Sequence, residues 1–187
     1  MKISTIDDIT KLFEKWGSVN YAEELTQIEH AVQCARLAEE EGAPSHLVIA
    51  ALLHDIGHLI DLEKHDGQEI FDVDTAHEAQ GSRSLADVMP ASVRLPIALH
   101  VEAKRWLCAR KPGYLDTLSA ASTHSLQLQG GPMTDDEVKR FEAMPGFADA
   151  VSLRLWDDRG KNPEWSCSLD DFKRILDSHS KELSPQS

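Results

Sequence analysis

Apolar residues recur at helical spacing through almost the whole chain, and no segment sustains the period-two alternation of a half-buried strand. Ile6, Ile9, Leu12, Phe13 and Trp16 define a first helix that Gly17 can close. Thr26-Gln27-Ile28-Glu29 reads as a capping box opening a second helix that runs into Glu39-Glu40-Glu41-Gly42. Pro44 can start a third, carrying Leu47 through His58. Thr75-Ala76-His77-Glu78 is a further capping box, whose helix continues to Met89 before Pro90. Helices are expected over Ile97 to Arg110, with Pro96 near the first turn, and over Ser119 to Leu128. Thr134-Asp135-Asp136-Glu137 caps the next, Phe147 to Asp157 follows, and Ser168-Leu169-Asp170-Asp171 starts a terminal helix ending in a polar tail, 184–187. The expectation is an all-α fold, one helical bundle over residues 1–187, with no sheet. At 187 residues such a chain buries roughly 70% of its unfolded surface, enough for one core without staples. Two segments do not read as helix. The acidic stretch 60–74, from Ile60 to Asp74, contains Gly67 and reads as a lid loop, and Gln129-Gly130-Gly131-Pro132 as a tight turn.

The charge balance narrows the partners. Nineteen Lys and Arg stand against 32 Asp and Glu, a net charge of -13. A nucleic-acid binder needs a basic surface, and so does a protein docking on anionic lipid. Neither nucleic acid nor membrane is therefore an expected partner. The longest apolar run, Leu47 to Leu53, is too short to span a bilayer. The N-terminal residues have no apolar signal core. Cys34, Cys108 and Cys167 form no C-x-x-C pair, which fits a reduced cytoplasmic setting. An acidic chain should also repel an anionic substrate unless its site is locally positive.

Nine histidines are a high share for this length. His54-Asp55 closes the apolar stretch Val48-Ile49-Ala50-Ala51-Leu52-Leu53, and such groups emerging from an apolar wall are costly to bury unless paired or metal-bound. His30 lies on the preceding helix, and Asp157 closes a helix carrying Leu153, Leu155 and Trp156. Taken singly, each histidine is more often a core or surface residue than a ligand. The order His…His-Asp…Asp, however, resembles the ligand pattern of the HD-domain superfamily, and His77 and His100 match its binuclear version. The four His and two Asp suit iron, manganese or zinc, and Asp55 is the natural bridge between two ions. His46, His65 and His179 sit in polar surroundings and are read as surface residues.

Around these positions a second pattern appears. His58 follows His54 by four residues, Lys104 follows His100 by four, and Arg154 precedes Asp157 by three. Helical spacings of three and four place both members on one face. Three potentially cationic groups thus flank three ligands, and Ser122 and His124 can add a hydroxyl and an imidazole. This is an anion pocket suited to a phosphate or phosphonate, unless Lys104 and Arg154 simply pair with Glu102 and Asp158. Tyr21 and Glu24 precede the first ligand; a Tyr there can reach a metal, and a carboxylate can hold a cationic substrate end.

With these residues the chain resembles the HD-domain mixed-valence diiron oxygenases that cleave organophosphonates, the PhnZ-like group. The matching stretches are Tyr21-Ala22-Glu23-Glu24 with Gln27 and Glu29-His30; Ala50 to His58; His77-Glu78; His100 to Arg105; Gln129 to Met133; and Arg154-Leu155-Trp156-Asp157. The resemblance implies one iron on His30, His54, Asp55 and Asp157 and another on Asp55, His77 and His100, with Tyr21 a ligand displaced by substrate. It implies His58, Lys104, Ser122 and Arg154 around the phosphonate, His58 and Lys104 as the catalytic pair, and Glu24 near the substrate amine. The implied reaction is O2-dependent C–P cleavage of 2-amino-1-hydroxyethylphosphonate or its N-trimethyl analogue at an Fe(II)/Fe(III) site. Its products are phosphate and glycine or glycine betaine. The substrate supplies all four electrons, so no nicotinamide or flavin is required, and no Gly-rich dinucleotide fingerprint is present. The expected partner is a small zwitterionic phosphonate, bound by a monomer. The rival reading is a metal-dependent phosphohydrolase acting on a small phosphoester. Ordinary HD phosphohydrolases often carry Lys where this chain has His58, which counts against it.

Overall fold

The computed structural model describes residues 2–22, 24–68 and 76–183. Helix α1 (Ile6–Trp16) starts at Thr5, whose hydroxyl accepts from the Asp8 N–H while the Asp8 carboxylate caps Thr5 in return. Ile9, Leu12 and Phe13 are its buried face, and the Gly17 N–H closes it on the Phe13 carbonyl. Strands β1 (Asn20–Ala22) and β2 (Leu25–Thr26) then form a short antiparallel hairpin with Asn20 opposite Thr26. This corrects the expectation of no sheet: strands of three and two residues are too short to show an alternation. Thr26 and Glu29 form the expected capping box of α2 (Gln27–Glu40).

The largest departure from expectation is a break where a single helix to His58 was foreseen. Helix α3 (Ser45–Leu53) stops at His54, and α4 (Ile56–Lys64) restarts after Asp55, whose backbone (φ −100, ψ 13) is not helical. Neither Pro nor Gly sits at the break itself, so no local signal marks it. The foreseen lid is corrected too: Ile60 to Lys64 is helical, with Ile60 and Leu62 buried. Ile56, Leu59, Ile60 and Leu62 give that segment a helical apolar face that outweighs its acidity. Residues 65–68 form the turn that follows α4, while 69–74 of the foreseen lid and the polar tail 184–187 lie outside the described residues.

Helix α5 spans His77–Ser84, shorter than expected, and enters through Ala76 in a left-handed conformation (φ 48) with no side-chain cap. Thr75, the foreseen cap, lies outside the described residues. Helix α6 (Ala91–Arg110) starts earlier than expected, so the buried Pro96 lies inside it, with only one helical hydrogen bond lost. A 3-10 turn at Leu115–Thr117 leads to α7 (Ala120–Leu128), capped by Ser119. Helices α8 (Asp135–Glu142), α9 (Phe147–Arg159) and α10 (Leu169–Leu183) complete the bundle.

Helix α3 is the axis. Leu47 through Leu53 are all buried, and α3 packs against α2, α6, α9 and α10. A helix that is apolar all round belongs in a core. The stretch Ser45–Lys64, taken across the break, has the length and composition of a membrane span, but 78% of its most apolar window is buried within the protein itself. The rings of Phe13 and Phe172 stack at 4.1 Å and tie α1 to α10. A smaller cluster of Ala103, Met133, Val138, Phe141 and Ala150 joins α6, α8 and α9.

Phe172 is fully buried, so Phe172→Ala is expected to lower unfolding stability by about 3–5 kcal/mol, measured by urea titration. A loss below 1 kcal/mol would show that α10 is not part of the cooperative core.

Candidate metal centre

The break between α3 and α4 presents Asp55 at the centre of four imidazoles. Asp55 is only 8% exposed. Its Oδ2 lies 3.4 Å from His54 Nε2 and 3.7 Å from His30 Nε2. Its Oδ1 lies 3.3 Å from His77 Nε2 and 3.6 Å from His100 Nε2. One carboxylate thus serves two histidine pairs, one oxygen to each. Asp157 stands beside the first pair, its Oδ1 3.4 Å from His30 Nε2 and 4.0 Å from His54 Nε2.

The other ring nitrogens establish which atoms face inward. His30 Nδ1 is 2.8 Å from the Gly160 carbonyl, His54 Nδ1 2.9 Å from Ala51 O, and His100 Nδ1 2.8 Å from Ile97 O. A carbonyl only accepts, so each Nδ1 carries the hydrogen and each neutral ring turns an Nε2 lone pair to the centre. Yet His30 Nε2 and His54 Nε2 are 3.2 Å apart, and His77 Nε2 and His100 Nε2 are 3.3 Å apart. Opposed lone pairs at that distance need a positive charge between them. The buried Asp157 Oδ1 has no hydrogen-bond partner among the described residues. Buried acceptors without donors, all aimed at one space, are the signature of a cation site built from nitrogen and hard oxygen.

Protonation tells the same story. Burial disfavours the His54 imidazolium, but the Asp55 and then the Asp157 carboxylate reverse this and raise its pKa to about 9. His77 is raised against burial by its hydrogen bond to Asp55. Asp55, despite burial, is held well below the usual carboxylate range by His54, and Asp157 by Arg154 and Lys161. The two raised groups stand one in each histidine pair, whereas burial and then His54 hold His100 well below its ordinary pKa.

Comparison with known proteins identifies the family. Residues 27–139 match the model of the HD domain. The chain belongs to the HD-domain family. Its relatives include hydroxymethylphosphonate dioxygenase of Gimesia maris, 46% identical over 82% of this chain and 78% of the relative. The [1-hydroxy-2-(trimethylamino)ethyl]phosphonate dioxygenase (glycine-betaine-forming) of Leisingera caerulea is 37% identical over 93% of this chain and 91% of the relative. The chain falls among the HD-domain phosphonate oxygenases. Asp157 lies beyond the matched HD segment, on α9, and closes the donor set from outside it.

The remaining expected residues of this HD-domain site take varied positions. Tyr21, on β1, stacks its ring on His30 at 4.2 Å, nearly parallel. Burial, then the Asp55 and Asp157 carboxylates, hold its phenol well above its ordinary pKa. His58 stacks on His77 at 4.1 Å, with its side chain 38% exposed. Burial and then the neighbouring His77 push His58 down to about 4, so it is neutral at pH 7 rather than the third cation foreseen. Lys104 is 3% exposed and donates to Ser125 Oγ at 2.8 Å. Arg154 donates to Asp157 Oδ2 at 2.7 Å and pairs with Asp158, while its Nη2 reaches Ser122 Oγ at 3.4 Å. The pairing with Asp158 raised as an alternative is therefore real for Arg154. Lys104 instead leaves Glu102 to Arg105. Glu24 is exposed in the hairpin turn with a left-handed backbone (φ 68), and His124 is exposed on α7. Sequence reasoning missed Ser125, Lys161, and the role of the Tyr114 hydroxyl, which bridges Arg154 Nε and Asp158. Ser125 and Lys161 carried usable signals, lying three residues after Ser122 and four after Asp157.

Gly57 holds the second histidine pair in place. A Cβ built there would stand 2.1 Å from the His77 carbonyl oxygen, with the rest of the His77 backbone close behind. Gly57→Ala is therefore expected to displace His77 and weaken metal binding by about 10- to 100-fold, read by competition with a chromophoric chelator. Helical circular dichroism should be retained, and parent-like affinity would show that this contact does not set the site.

Proposed function

We propose that the chain is a dioxygenase that cleaves the C–P bond of a 1-hydroxyphosphonate, using O2 and two iron ions. The observation that carries this reading is the Asp55 carboxylate shared between two histidine pairs, beside a buried cluster of Lys104, Arg154 and Ser122. Two of the relatives are named as phosphonate dioxygenases, which favours oxidation over the phosphohydrolase alternative. His30, His54, Asp55 and Asp157 would hold one iron, and Asp55, His77 and His100 the other. As an Fe(II)/Fe(III) pair these ions would supply the Lewis acidity and electron transfer that couple O2 reduction to oxidation of the substrate.

The protein's own groups do the rest. The second-nitrogen hydrogen bonds hold three histidines in the tautomer a metal requires. Tyr21, stacked on His30 beside Asp55, can occupy a position that the substrate later takes. Lys104, Arg154 and Ser122 orient the phosphonate, so that its oxygens face cations and the hydroxyl-bearing carbon faces Asp55. His58, neutral and at the mouth of the cluster, can accept or donate one proton to the 1-hydroxyl or to the departing phosphate. The overall change is R–CH(OH)–PO3²⁻ + O2 → R–COO⁻ + H2PO4⁻. The C–H and C–P bonds are broken, and the substrate provides all four electrons that O2 accepts. With an aminomethyl or trimethylammoniomethyl R group the products are glycine or glycine betaine, and Glu24 in the hairpin turn is the carboxylate for the cationic end. A second reading, favoured by the 46% identity to the Gimesia maris relative, is hydroxymethylphosphonate, which would give formate. The cysteines stand unbridged, in keeping with a reducing cytoplasm.

Anaerobic loading with iron, followed by parallel oxygen-electrode and phosphate assays on all three hydroxyphosphonates, tests the reading. One O2 consumed per phosphate released is expected with at least one of them; phosphate release without O2 uptake would make the protein a hydrolase.

Lys104 gives a pH dependence with a defined sign. Burial, then the nearby Arg154, lowers its pKa to about 8, so it is cationic below that pH and neutral above it. A dianion binds the cationic form, and kcat/KM should fall about tenfold per pH unit above pH 8. Lys104→Met should have a low kcat/KM lacking that limb; a limb that persists unchanged would assign it to another group.

A further inference from the structure

We infer that Lys161 is a third cation of the phosphonate pocket, acting with Lys104 and Arg154 on the anion's oxygens. This rests on the function proposed above and extends it to a residue with no assigned role.

The geometry begins on α7. Ser122 Oγ receives Arg154 Nη2 at 3.4 Å and Lys161 Nζ at 3.2 Å. One turn on, Ser125 Oγ receives Lys104 Nζ at 2.8 Å and donates to the Ser122 carbonyl. Three cations from α6, α9 and the segment after α9 therefore converge on one turn of α7. Their meeting point is two neutral hydroxyls, a poor partner for three like charges brought out of water. The Lys161 side chain is only 12% exposed.

Carboxylates do not balance the group. Arg154 has Asp157 and Asp158, and no carboxylate pairs with Lys104 among the described residues. Among the described residues Lys161 has one acidic partner, Asp157 Oδ1, at 3.8 Å. That oxygen is the inward-facing one without a hydrogen bond, the atom that a metal would take. Once it ligates, Lys161 is left with Ser122 alone. A tetrahedral dianion entering here would meet one cation per oxygen, with the Ser122 hydroxyl, which only accepts from Arg154 and Lys161, able to donate to it. The substrate's phosphonate and the product phosphate share this shape and charge, so inorganic phosphate is a direct probe of the pocket.

A purely structural Lys161 would instead serve to neutralise Asp157, and its loss would show in the metal content. The test uses iron-loaded protein, with phosphate binding followed by calorimetry, iron by plasma emission, and steady-state kinetics on the best hydroxyphosphonate. Lys161→Met is expected to weaken phosphate binding at least tenfold and to raise KM to match. The kcat and iron content should stay within about twofold of the parent, and Lys161→Arg should restore most of the affinity. Lys161→Gln serves as the charge-free variant if the Met form does not fold. Parent-like phosphate affinity in the charge-free variant, or affinity lost only in proportion to lost iron, overturns the inference while the functional reading stands. A parent enzyme that takes up no O2 with any hydroxyphosphonate overturns the functional reading and this inference with it.

Discussion

The structure depends on one carboxylate facing two ways. Asp55 lies buried where the most apolar helix of the bundle stops, and each of its oxygens meets a different pair of histidines. Six buried ionisable side chains at the heart of a domain would be destabilising by several kcal/mol if left to themselves. The surrounding helices are arranged to meet that demand. The break after α3 turns Asp55 inward, Gly57 lets α5 approach closely enough to deliver His77, and Gly160 supplies the carbonyl that orients His30. Each departs from regular packing, and each serves the centre. Departures of this kind belong at sites where function outranks local regularity.

The acidity of the chain ceases to be a paradox beside this centre. Lys104, Arg154 and Lys161 lie on one side of the cluster, and the carboxylates they meet are those that would ligate metal or anchor Arg154. Filling the donor set with cations shifts the local balance to positive. The surplus negative charge of the chain lies on other residues, and charges more than a Debye length away across solvent are largely screened from this cluster.

Much of this was legible in the residues, and what was not has physical reasons. Helices with caps were readable: the Thr26–Glu29 and Thr134–Glu137 boxes stand where foreseen. The convergence of four histidines and two aspartates was readable because their order is distinctive and because each sits on or beside a separate helix. The break at His54–Asp55 was not readable, since it is imposed by the tertiary cluster and carries no Pro or Gly of its own. The hairpin was too short to leave a pattern, although it is what brings Tyr21 onto His30. His58 does stand by the cluster, 4.0 Å from Asp55 Oδ1. The break between α3 and α4 removes the helical spacing from which this was expected, and spacing could not show that burial and His77 would keep it neutral. Spacing placed Arg154 correctly without showing that Asp158 would claim half of its guanidinium.

The claim on which all this rests is that Asp55 bridges two metal ions. It is tested most directly by iron analysis of anaerobically reconstituted protein, parent against Asp55→Ala, with magnetic spectroscopy on the parent. The account predicts two spin-coupled irons per chain in the parent and no more than one, uncoupled, in the variant. An Asp55→Ala protein that kept two irons, or a parent whose two irons showed no coupling, would contradict it.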